Sequence, residues 1–139
     1  MYMPNKEIKV KEIMLNLKEI PIVTEKQYLK DALVTMTKFS VGIVCIVDEH
    51  MKLNGVMTDG DIRRMVLNDQ KPLASLFLDD VIDHSRQDFA FINENEPLKK
   101  AIDIINTKKI WDLPVMNEEG FLKGLLHLHP IVNYCLDKA

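Results

Sequence analysis

The chain has 139 residues, of which 47% are hydrophobic and 28% charged, and its formal net charge is −3. This length suffices for one hydrophobic core, or for two small repeated units that share one, in an ordinary globular protein. The slight acidic excess, without a stripe of lysine and arginine, argues against binding to nucleic acids.

The first quarter of the chain predicts one short strand and one helix. A polar tail over residues 1–9 and a short amphipathic turn lead to a brief strand at residues 20–23. Apolar residues then recur with helical spacing, so a helix is predicted from about Gln27 until just before Ser40. Its apolar face consists of Leu29, Ala32, Leu33 and Met36.

A second group of elements follows this helix. The β-branched run at residues 43–47 is typical of a strand that is buried on both faces. A turn, a returning strand at residues 53–57 and a helix from Asp59 complete a β-α-β-β-α unit. The residues of this second helix that are predicted to face inward are Ile62, Met65 and Val66.

The junction between the returning strand and its helix combines polar groups that suit a nucleotide. Thr58 and Asp61 lie there within the sequence GVMTDGDIRR at residues 55–64. The unpaired N–H groups of a helix N-terminus favour phosphate, and a hydroxyl and a carboxylate can hydrogen-bond to ribose. The alternative interpretation is that both residues simply cap the helix.

The second half of the chain repeats the first at a constant offset of 69 residues, which indicates duplication. The matching segments are 29–33 with 98–102, 46–49 with 115–118, and Gly55 with Gly124. We therefore predict an N-terminal tail at 1–9, one repeat at 10–68, a linker at 69–75 and a second repeat at 76–139. Because units this small bury too little surface alone, we expect them to pack on each other about a pseudo-twofold axis.

Tandem β-α-β-β-α units of the α/β (α+β) class, with a hydrophobic strand before an acidic turn and a Gly-x-x-Thr-x-x-Asp ending, resemble a cystathionine β-synthase (CBS) domain pair. The resemblance covers nearly the whole chain. The sequences at 55–64, 113–120 and 124–129 are most similar to the regulatory C-terminal pair of arabinose-5-phosphate isomerase-type enzymes. Similar pairs precede sugar-phosphate nucleotidyltransferases, so two types of parent enzyme remain open.

The resemblance implies a regulatory module that binds an adenosine nucleotide (AMP, ADP or ATP), or a related nucleotide or sugar phosphate, in a cleft between the repeats. Carried over residue by residue, it assigns phosphate and ribose contacts to Thr58 and Asp61. The base pocket and its edges would be formed by Ile43, Val44, Cys45, Ile22, Val23 and Thr24. It further implies a homodimer and an attached catalytic sugar-isomerase domain.

The second repeat lacks the polar pair, because His127 and Pro130 occupy the positions of Thr58 and Asp61. We expect Pro130 to be the first residue of a helix. A second cleft, which is empty or holds a different ligand, would be formed by Leu113, Pro114, Val115, His127 and His129. His127 and His129 could share one face of a strand end, but a metal ion would need a third ligand, so no metal site is predicted.

Three further residues allow two interpretations each. Trp111 either packs in the core or a dimer interface, or stacks on a nucleotide base. Arg63 and Arg64 are either solvated helix residues or partners of a phosphate.

The sequence contains no catalytic constellation, since a nucleophile with a base, a Walker loop, a dinucleotide-binding glycine pattern and a metal cluster are all missing from it. We therefore predict a non-enzymatic module, which either senses a ligand or serves only for dimerisation. Cys45 and Cys135 lie in apolar segments without a metal or redox spacing, so we expect buried, reduced thiols in the cytoplasm. No apolar run approaches the roughly 18 residues that cross a bilayer, and no association with a membrane is predicted.

Overall fold

The computed structural model describes residues 7–138, apart from the side chain of Lys138. Within this range the chain forms six β-strands, five α-helices and three short 3-10 helices. Residues 1–6 of the predicted tail at 1–9 lie outside the described residues, as does residue 139 of the predicted second repeat. The mixed α and β content, arranged as two β-α-β-β-α repeats, confirms the predicted fold class.

The first repeat forms a three-stranded sheet flanked by helices. Its elements are β1 (Ile22–Thr24), α1 (Leu29–Phe39), β2 (Ile43–Val47), β3 (Leu53–Thr58) and α2 (Asp59–Asn68). The sheet order is β1-β2-β3, with β1 parallel and β3 antiparallel to the central strand. All five residues of β2 are buried, as predicted for a strand covered on both faces. The predicted linker contains the start of one more short helix, α3 (Leu73–Leu76).

The second repeat has the same order of elements and the same strand pairing. Its elements are β4 (Ile92–Asn93), α4 (Leu98–Lys108), β5 (Asp112–Met116), β6 (Leu122–His127) and α5 (Leu128–Lys138). Strand β4 is parallel and β6 antiparallel to β5. Helices α1 and α4 both end at a left-handed residue, Ser40 (φ 53°) and Lys109 (φ 54°). The duplication predicted from the offset of 69 is therefore preserved in the backbone.

The chain divides into two compact units. The first unit comprises residues 19–89, and the second joins the segment up to residue 18 to residues from 90 onward. Each unit has its own hydrophobic core. The first core contains Val23, Leu29, Ala32, Met36, Val44, Ile46, Met57, Met65, Leu76 and Val81. The second contains Val10, Ile92, Leu98, Ala101, Ile105, Leu113, Val115, Leu126 and Ile131.

Each compact unit is completed by the segment that precedes the first strand of the other repeat. In the second unit, the backbones of Leu15 and Leu125 exchange two hydrogen bonds, at 2.8 and 3.0 Å. In the first unit, the backbones of Arg86 and Val56 do the same, at 2.8 and 3.0 Å. The sequence analysis missed this exchange because backbone pairing between distant segments leaves no side-chain periodicity.

One predicted core position is wrong. Val66 of α2 is 48% exposed, whereas Met65 is 9% exposed and belongs to the core. Because successive residues of a helix are rotated by about 100°, a face centred near Met65 turns Val66 toward solvent.

No helix in the described part of the chain has the length and hydrophobicity needed to span a bilayer.

Candidate functional site

The side chains of Thr58 and Asp61 contact each other where β3 passes into α2. Thr58 Oγ1 accepts a hydrogen bond from the backbone N–H of Asp61 at 3.2 Å. Asp61 Oδ2 in turn accepts bonds from the N–H and the hydroxyl of Thr58, both at 3.0 Å. This reciprocal arrangement is a capping box, which satisfies N–H groups at the start of a helix. Both residues therefore cap α2, whether or not they also contact a ligand.

Two arginines converge on the other oxygen of the same carboxylate. Nη2 of Arg64 and Nη2 of Arg86 each donate to Asp61 Oδ1 at 2.8 Å. The Asp61 side chain is 12% exposed, while the arginine side chains are 51% and 50% exposed. Two guanidinium groups against one carboxylate leave one net positive charge. We refer to Thr58, Asp61, Arg64 and Arg86 as the Asp61 cluster.

The arginines and Thr58 determine the ionisation of Asp61. Burial alone would raise the pKa of this carboxyl group. The hydrogen bonds from Arg64 and Thr58, together with the charge of Arg86, outweigh burial and hold the pKa below its ordinary value of 3.8. Asp61 is therefore an anion at neutral pH, and its oxygens can only accept hydrogen bonds.

Gly55 allows the segment that contains Arg86 to approach β3. A Cβ atom on Gly55 would lie 2.8 Å from Ser85 Oγ and 3.4 Å from the backbone oxygen of Arg86. The absent side chain thus leaves room for the backbone pairing between Arg86 and Val56. The sequence analysis missed Arg86 because its contact with Asp61 spans 25 residues and no local pattern marks it.

The six strand residues predicted to form a base pocket share one sheet but do not converge on one point. Ile43 pairs with Thr58, next to the Asp61 cluster. Thr24 pairs with Val47, four residues further along β2, which places it roughly 13 Å from that end of the strand.

The remaining predicted pocket residues lie between these ends or in the core. Val23 and Val44 belong to the hydrophobic core of the first unit, so their side chains are committed to packing. Ile22 pairs with Cys45, in the middle of β2. Only Ile43 among the six is thus directly opposite Thr58.

A pocket of about 450 Å³ lies at the Thr24 end of this sheet. It is lined by Thr24, Glu25, Lys26, Val47, Asp48 and Glu49. The backbone N–H groups of Lys52 and His50 donate to the Asp48 carboxylate, and they keep its pKa below the ordinary value although burial acts in the opposite direction. The predicted pocket residue Thr24 therefore borders an acidic pocket that is distinct from the Asp61 cluster.

In the second repeat, a histidine replaces Thr58 and an acid replaces Ile43, the residue opposite Thr58. Nδ1 of His127 lies 2.6 Å from Oδ1 of Asp112, across the strand pair β5 and β6. His129 lies in α5 and is exposed, so the expected common strand face with His127 is wrong. Helix α5 begins at Leu128, whose N–H donates to the oxygen of Trp111 at 2.9 Å.

The early start of α5 also corrects one prediction about Pro130. This proline is the third residue of the helix rather than the first, where its missing N–H is still harmless because the first turn lacks intrahelical partners. The other residues predicted for a second cleft, Leu113, Pro114 and Val115, are all buried in β5. Leu113 and Val115 belong to the core of the second unit.

The structure also decides several single-residue predictions. Trp111 is 68% exposed, so packing in the core is wrong, while dimer packing and base stacking stay predictions. Cys45 is buried and Cys135 half-buried, and they do not form a disulfide. Among residues 7–138, no three His, Cys, Asp or Glu side chains lie close enough together to hold a metal ion.

The fold and the duplicated repeats agree with a known family. The family model of the CBS domain matches residues 10–68 and 78–135. The chain therefore belongs to the CBS domain family and contains two such domains in tandem, as its sequence predicted.

Relatives of this chain include longer proteins. An uncharacterized protein of Rickettsia prowazekii is 27% identical over 90% of this chain, and the arabinose 5-phosphate isomerase KdsD of Yersinia pestis is 28% identical over 90%. This chain spans 37% of the length of each. KdsD of Salmonella typhi is 45% identical over 42% of this chain and 18% of its own length.

Solved CBS structures superpose on most of the chain. CBSX2 in complex with AMP has a TM-score of 0.81 and 22% identity, and covers 93% of this chain and 96% of its own. The CBS pair of MJ0100, solved with 5′-methylthioadenosine and S-adenosyl-L-methionine, has a TM-score of 0.80 and 19% identity, covering 96% and 100%. At these identities the likeness establishes the fold.

Proposed function

We propose that this CBS pair is a regulatory module that binds one adenosine nucleotide per chain through the Asp61 cluster. The observation that carries the proposal is the ionised, nearly buried Asp61 carboxylate beside the Thr58 hydroxyl and two half-exposed arginines. Four donors already occupy the roughly four acceptor sites of the Asp61 carboxylate, so a ribose diol would bind in place of the arginine donors. The released guanidinium groups and the helix N-terminus would bind phosphate. No comparable set occurs at the described equivalent positions of the second repeat, where Pro130 replaces Asp61.

The adenosine moiety of the ligand is supported by the solved relatives. CBSX2 was solved with AMP, and MJ0100 with two adenosine derivatives. Ile43 lies opposite Thr58 and provides an apolar side chain close to the polar cluster, which suits a ligand with a hydrophobic base. We therefore extend adenosine binding to this chain as a proposal.

Titration calorimetry with AMP, ADP and ATP tests the proposed site. We expect one nucleotide per chain, a loss of most binding in Asp61→Asn, and unchanged binding in His127→Ala, which alters the second repeat only. Because Asp61 also caps α2, circular dichroism must show that Asp61→Asn remains folded. Two equivalent nucleotides per chain, or undiminished binding by folded Asp61→Asn, would contradict the proposal.

We further propose that the parent protein is a cytoplasmic sugar-phosphate isomerase of the KdsD type. The support is the match of 90% of this chain to the Yersinia pestis enzyme, of which it spans only 37%. In the complete natural protein, we expect isomerisation of arabinose 5-phosphate and a change in its rate when AMP is added. An AMP-insensitive isomerase would contradict regulation, and a complete protein without isomerase activity would contradict the parentage.

A role in dimerisation is the second candidate function, and it can coexist with the first. The helix pair α4 and α5 contains an apolar groove of about 250 Å³, lined by Ile102, Ile105, Leu128, Ile131, Val132, Cys135 and Leu136. Leu136 is 68% exposed, and Leu67 at the equivalent position of α2 is 75% exposed. We propose that these leucines lie in a homodimer interface, since exposed apolar surface on helices favours association.

Light scattering at micromolar concentration tests this interface. We expect a dimer for the unaltered chain and a monomer for the double variant Leu67→Glu with Leu136→Glu. Leu78→Glu is the matched control, because Leu78 is 63% exposed but lies outside both helices. A monomeric unaltered chain, or a double variant that still dimerises, would contradict the proposal.

A further inference from the structure

We infer that His84 fastens the linker between the two repeats in a pH-dependent manner, holding it while the imidazole ring is protonated and releasing it when the ring is neutral. His84 ends the 3-10 helix at Val81–His84, and its side chain is only 14% exposed. The inference concerns none of the residues of the Asp61 cluster and does not depend on the proposed function.

Two carboxylates face the two nitrogens of the His84 ring. Nε2 lies 2.7 Å from Oδ2 of Asp79, which is a hydrogen-bond distance. Nδ1 lies 3.9 Å from Oδ2 of Asp69, which is close enough for an ion pair but too long for a direct hydrogen bond. One N–H suffices for the first contact, whereas the second requires a positive charge on the ring. The two contacts therefore differ in their dependence on protonation.

The charged partners of the ring come from three segments of the chain. Asp69 lies at the end of α2, Lys71 in the linker and Asp79 after α3. Nζ of Lys71 lies 2.8 Å from Oδ1 of Asp79. Hydrogen bonds from Lys71 and His84 hold the pKa of Asp79 below its ordinary value of 3.8, so this carboxylate stays anionic where histidines titrate.

The other charged groups of the surrounding elements do not pair with the ring. Helix α1 packs against the same 3-10 helix, and the charged residues of α2 itself lie toward its beginning, within residues 59–64. The charged residues of α1 and of residues 77–84 that form no ion pair with His84 in the described part of the chain are Lys30, Asp31, Lys38, Asp80 and Asp83. The balance of charge around the linker therefore changes with the protonation of His84.

The end of α2 favours a positive charge at this position. The C-terminus of a helix carries a partial negative charge, which a cation stabilises and an anion destabilises. The last turn of α2 contains no basic residue, and Asp69 adds a full negative charge at the C-cap. A protonated His84 compensates both, whereas a neutral ring compensates neither.

The segment after the linker is held independently of His84. The N–H of Val81 donates to the oxygen of Gln27 at 2.9 Å, and Leu76 and Val81 are buried in the core of the first unit. In contrast, residues 70 and 71 have no backbone hydrogen bond within the described range of 7–138. Deprotonation of His84 should therefore free the start of the linker and leave the fold intact.

Urea denaturation at about pH 5 and about pH 8 tests the inference, because histidine changes charge between these values. We expect Asp69→Asn to lower the urea midpoint by about 0.3 M at the lower pH, where it removes an ion pair. At the higher pH it should leave the midpoint unchanged or raise it, because an anion at the helix end is lost.

Two further comparisons isolate the role of the ring. Asp88→Asn is the matched control, since Asp88 is exposed and forms no ion pair in the described part of the chain, and it should have the same effect at both pH values. Asp69→Asn introduced into His84→Gln should likewise have an effect that does not depend on pH.

Nitrogen NMR of the imidazole ring provides a readout from the unaltered chain, and His84→Gln identifies its signals. We expect both ring nitrogens to be protonated near pH 5 and only Nε2 near pH 8, because Nε2 donates to Asp79. A ring whose protonation does not change, or a proton on Nδ1 alone near pH 8, would overturn the inference. An equal shift of the urea midpoint in Asp69→Asn at both pH values would also overturn it. Should the variants fail to fold, the NMR spectra of the unaltered chain decide.

Discussion

Nδ1 of His127 lies 2.6 Å from Oδ1 of Asp112, at the cross-strand position where the first repeat pairs Thr58 with Ile43. The side chains are 26% and 10% exposed. The second repeat thus places an acid and a histidine where the first places an apolar residue and a helix cap. The pair stabilises the end of the strands β5 and β6 close to the start of α5.

Removal of His127 should therefore destabilise the protein. We expect His127→Ala to lower the free energy of unfolding by about 1.5 to 3 kcal/mol, the usual contribution of a hydrogen bond to a charged group. His50→Ala is the matched control, because the His50 side chain is 72% exposed and lies 3.4 Å from Glu49, which is 85% exposed. Urea denaturation at neutral pH measures the free energy of unfolding of both variants. Similar losses in the two variants would contradict the expected stabilising contact between His127 and Asp112.

The hydroxyl of Thr58 should contribute to stability even without a ligand. We expect Thr58→Ala to lower the free energy of unfolding by about 1 kcal/mol, because the N-cap of α2 loses its side-chain acceptor. Thr37→Ala should have little effect, since its hydroxyl donates to the oxygen of Leu33 within an exposed turn of α1. Thermal and urea denaturation compare the stabilities of the two variants. An unchanged free energy of unfolding in Thr58→Ala would exclude the capping role of this hydroxyl.

Asp61 should make the free energy of unfolding depend on pH in the acidic range. Its folded-state pKa is lower than 3.8, so the unfolded chain binds the proton more readily. The stability that Asp61 contributes is complete well above 3.8 and is lost as the pH falls through the folded-state pKa. The difference in stability between the unaltered chain and Asp61→Asn should therefore be largest near neutrality and should shrink as the pH falls below 3.8 and through the folded-state pKa.

Removing one arginine checks the cause of this pH dependence. In Arg64→Gln, the pKa of Asp61 should move back toward its ordinary value, because a hydrogen bond that lowers it is lost. The acid-side loss of stability should then be smaller and should be complete at a higher pH, because the folded-state pKa lies closer to the unfolded-state value. Denaturation curves measured across the acidic range would contradict this account if both proteins lost the same amount of stability over the same pH interval.

Gly124 should tolerate no side chain. A Cβ atom there would lie 2.3 Å from the backbone oxygen of Leu15 and 2.8 Å from the sulfur of Met14. We expect Gly124→Ala to cost about 3 kcal/mol, because the segment that completes the second unit must move away from β6. Gly55→Ala should cost less, since its nearest contact is the hydroxyl of Ser85, a side-chain atom that can move.

Denaturation of the two glycine variants tests this difference. If Gly124→Ala were no less stable than Gly55→Ala, the backbone pairing of Leu15 with Leu125 would not be essential. Hydrogen exchange at the amides of Leu15 and Leu125 gives an independent readout, because both N–H groups donate in this pairing. Their protection should fall in Gly124→Ala and persist in Gly55→Ala.

The amino-acid sequence determined the order of elements and the duplication. The unbroken apolar run of β2 predicts a strand buried on both faces, because no position in it can face water without cost. The helical spacing of Leu29, Ala32 and Met36 predicts the core face of α1. These signals are local, since each depends on residues a few positions apart, and a constant offset makes them visible twice.

Only the tertiary structure decided which distant groups meet. Arg86 reaches Asp61 across 25 residues, and His127 reaches Asp112 across 15. Neither contact has a periodic signature, because each depends on strand register and on the exchange of leading segments between the units. Val66 faces solvent for a related reason. Helix periodicity predicts that α2 has an apolar face, but the packing of α2 places the centre of that face near Met65. The spacing of apolar residues can be observed directly in the sequence. These charge pairs, in contrast, form only when backbone hydrogen bonds bring separate segments side by side.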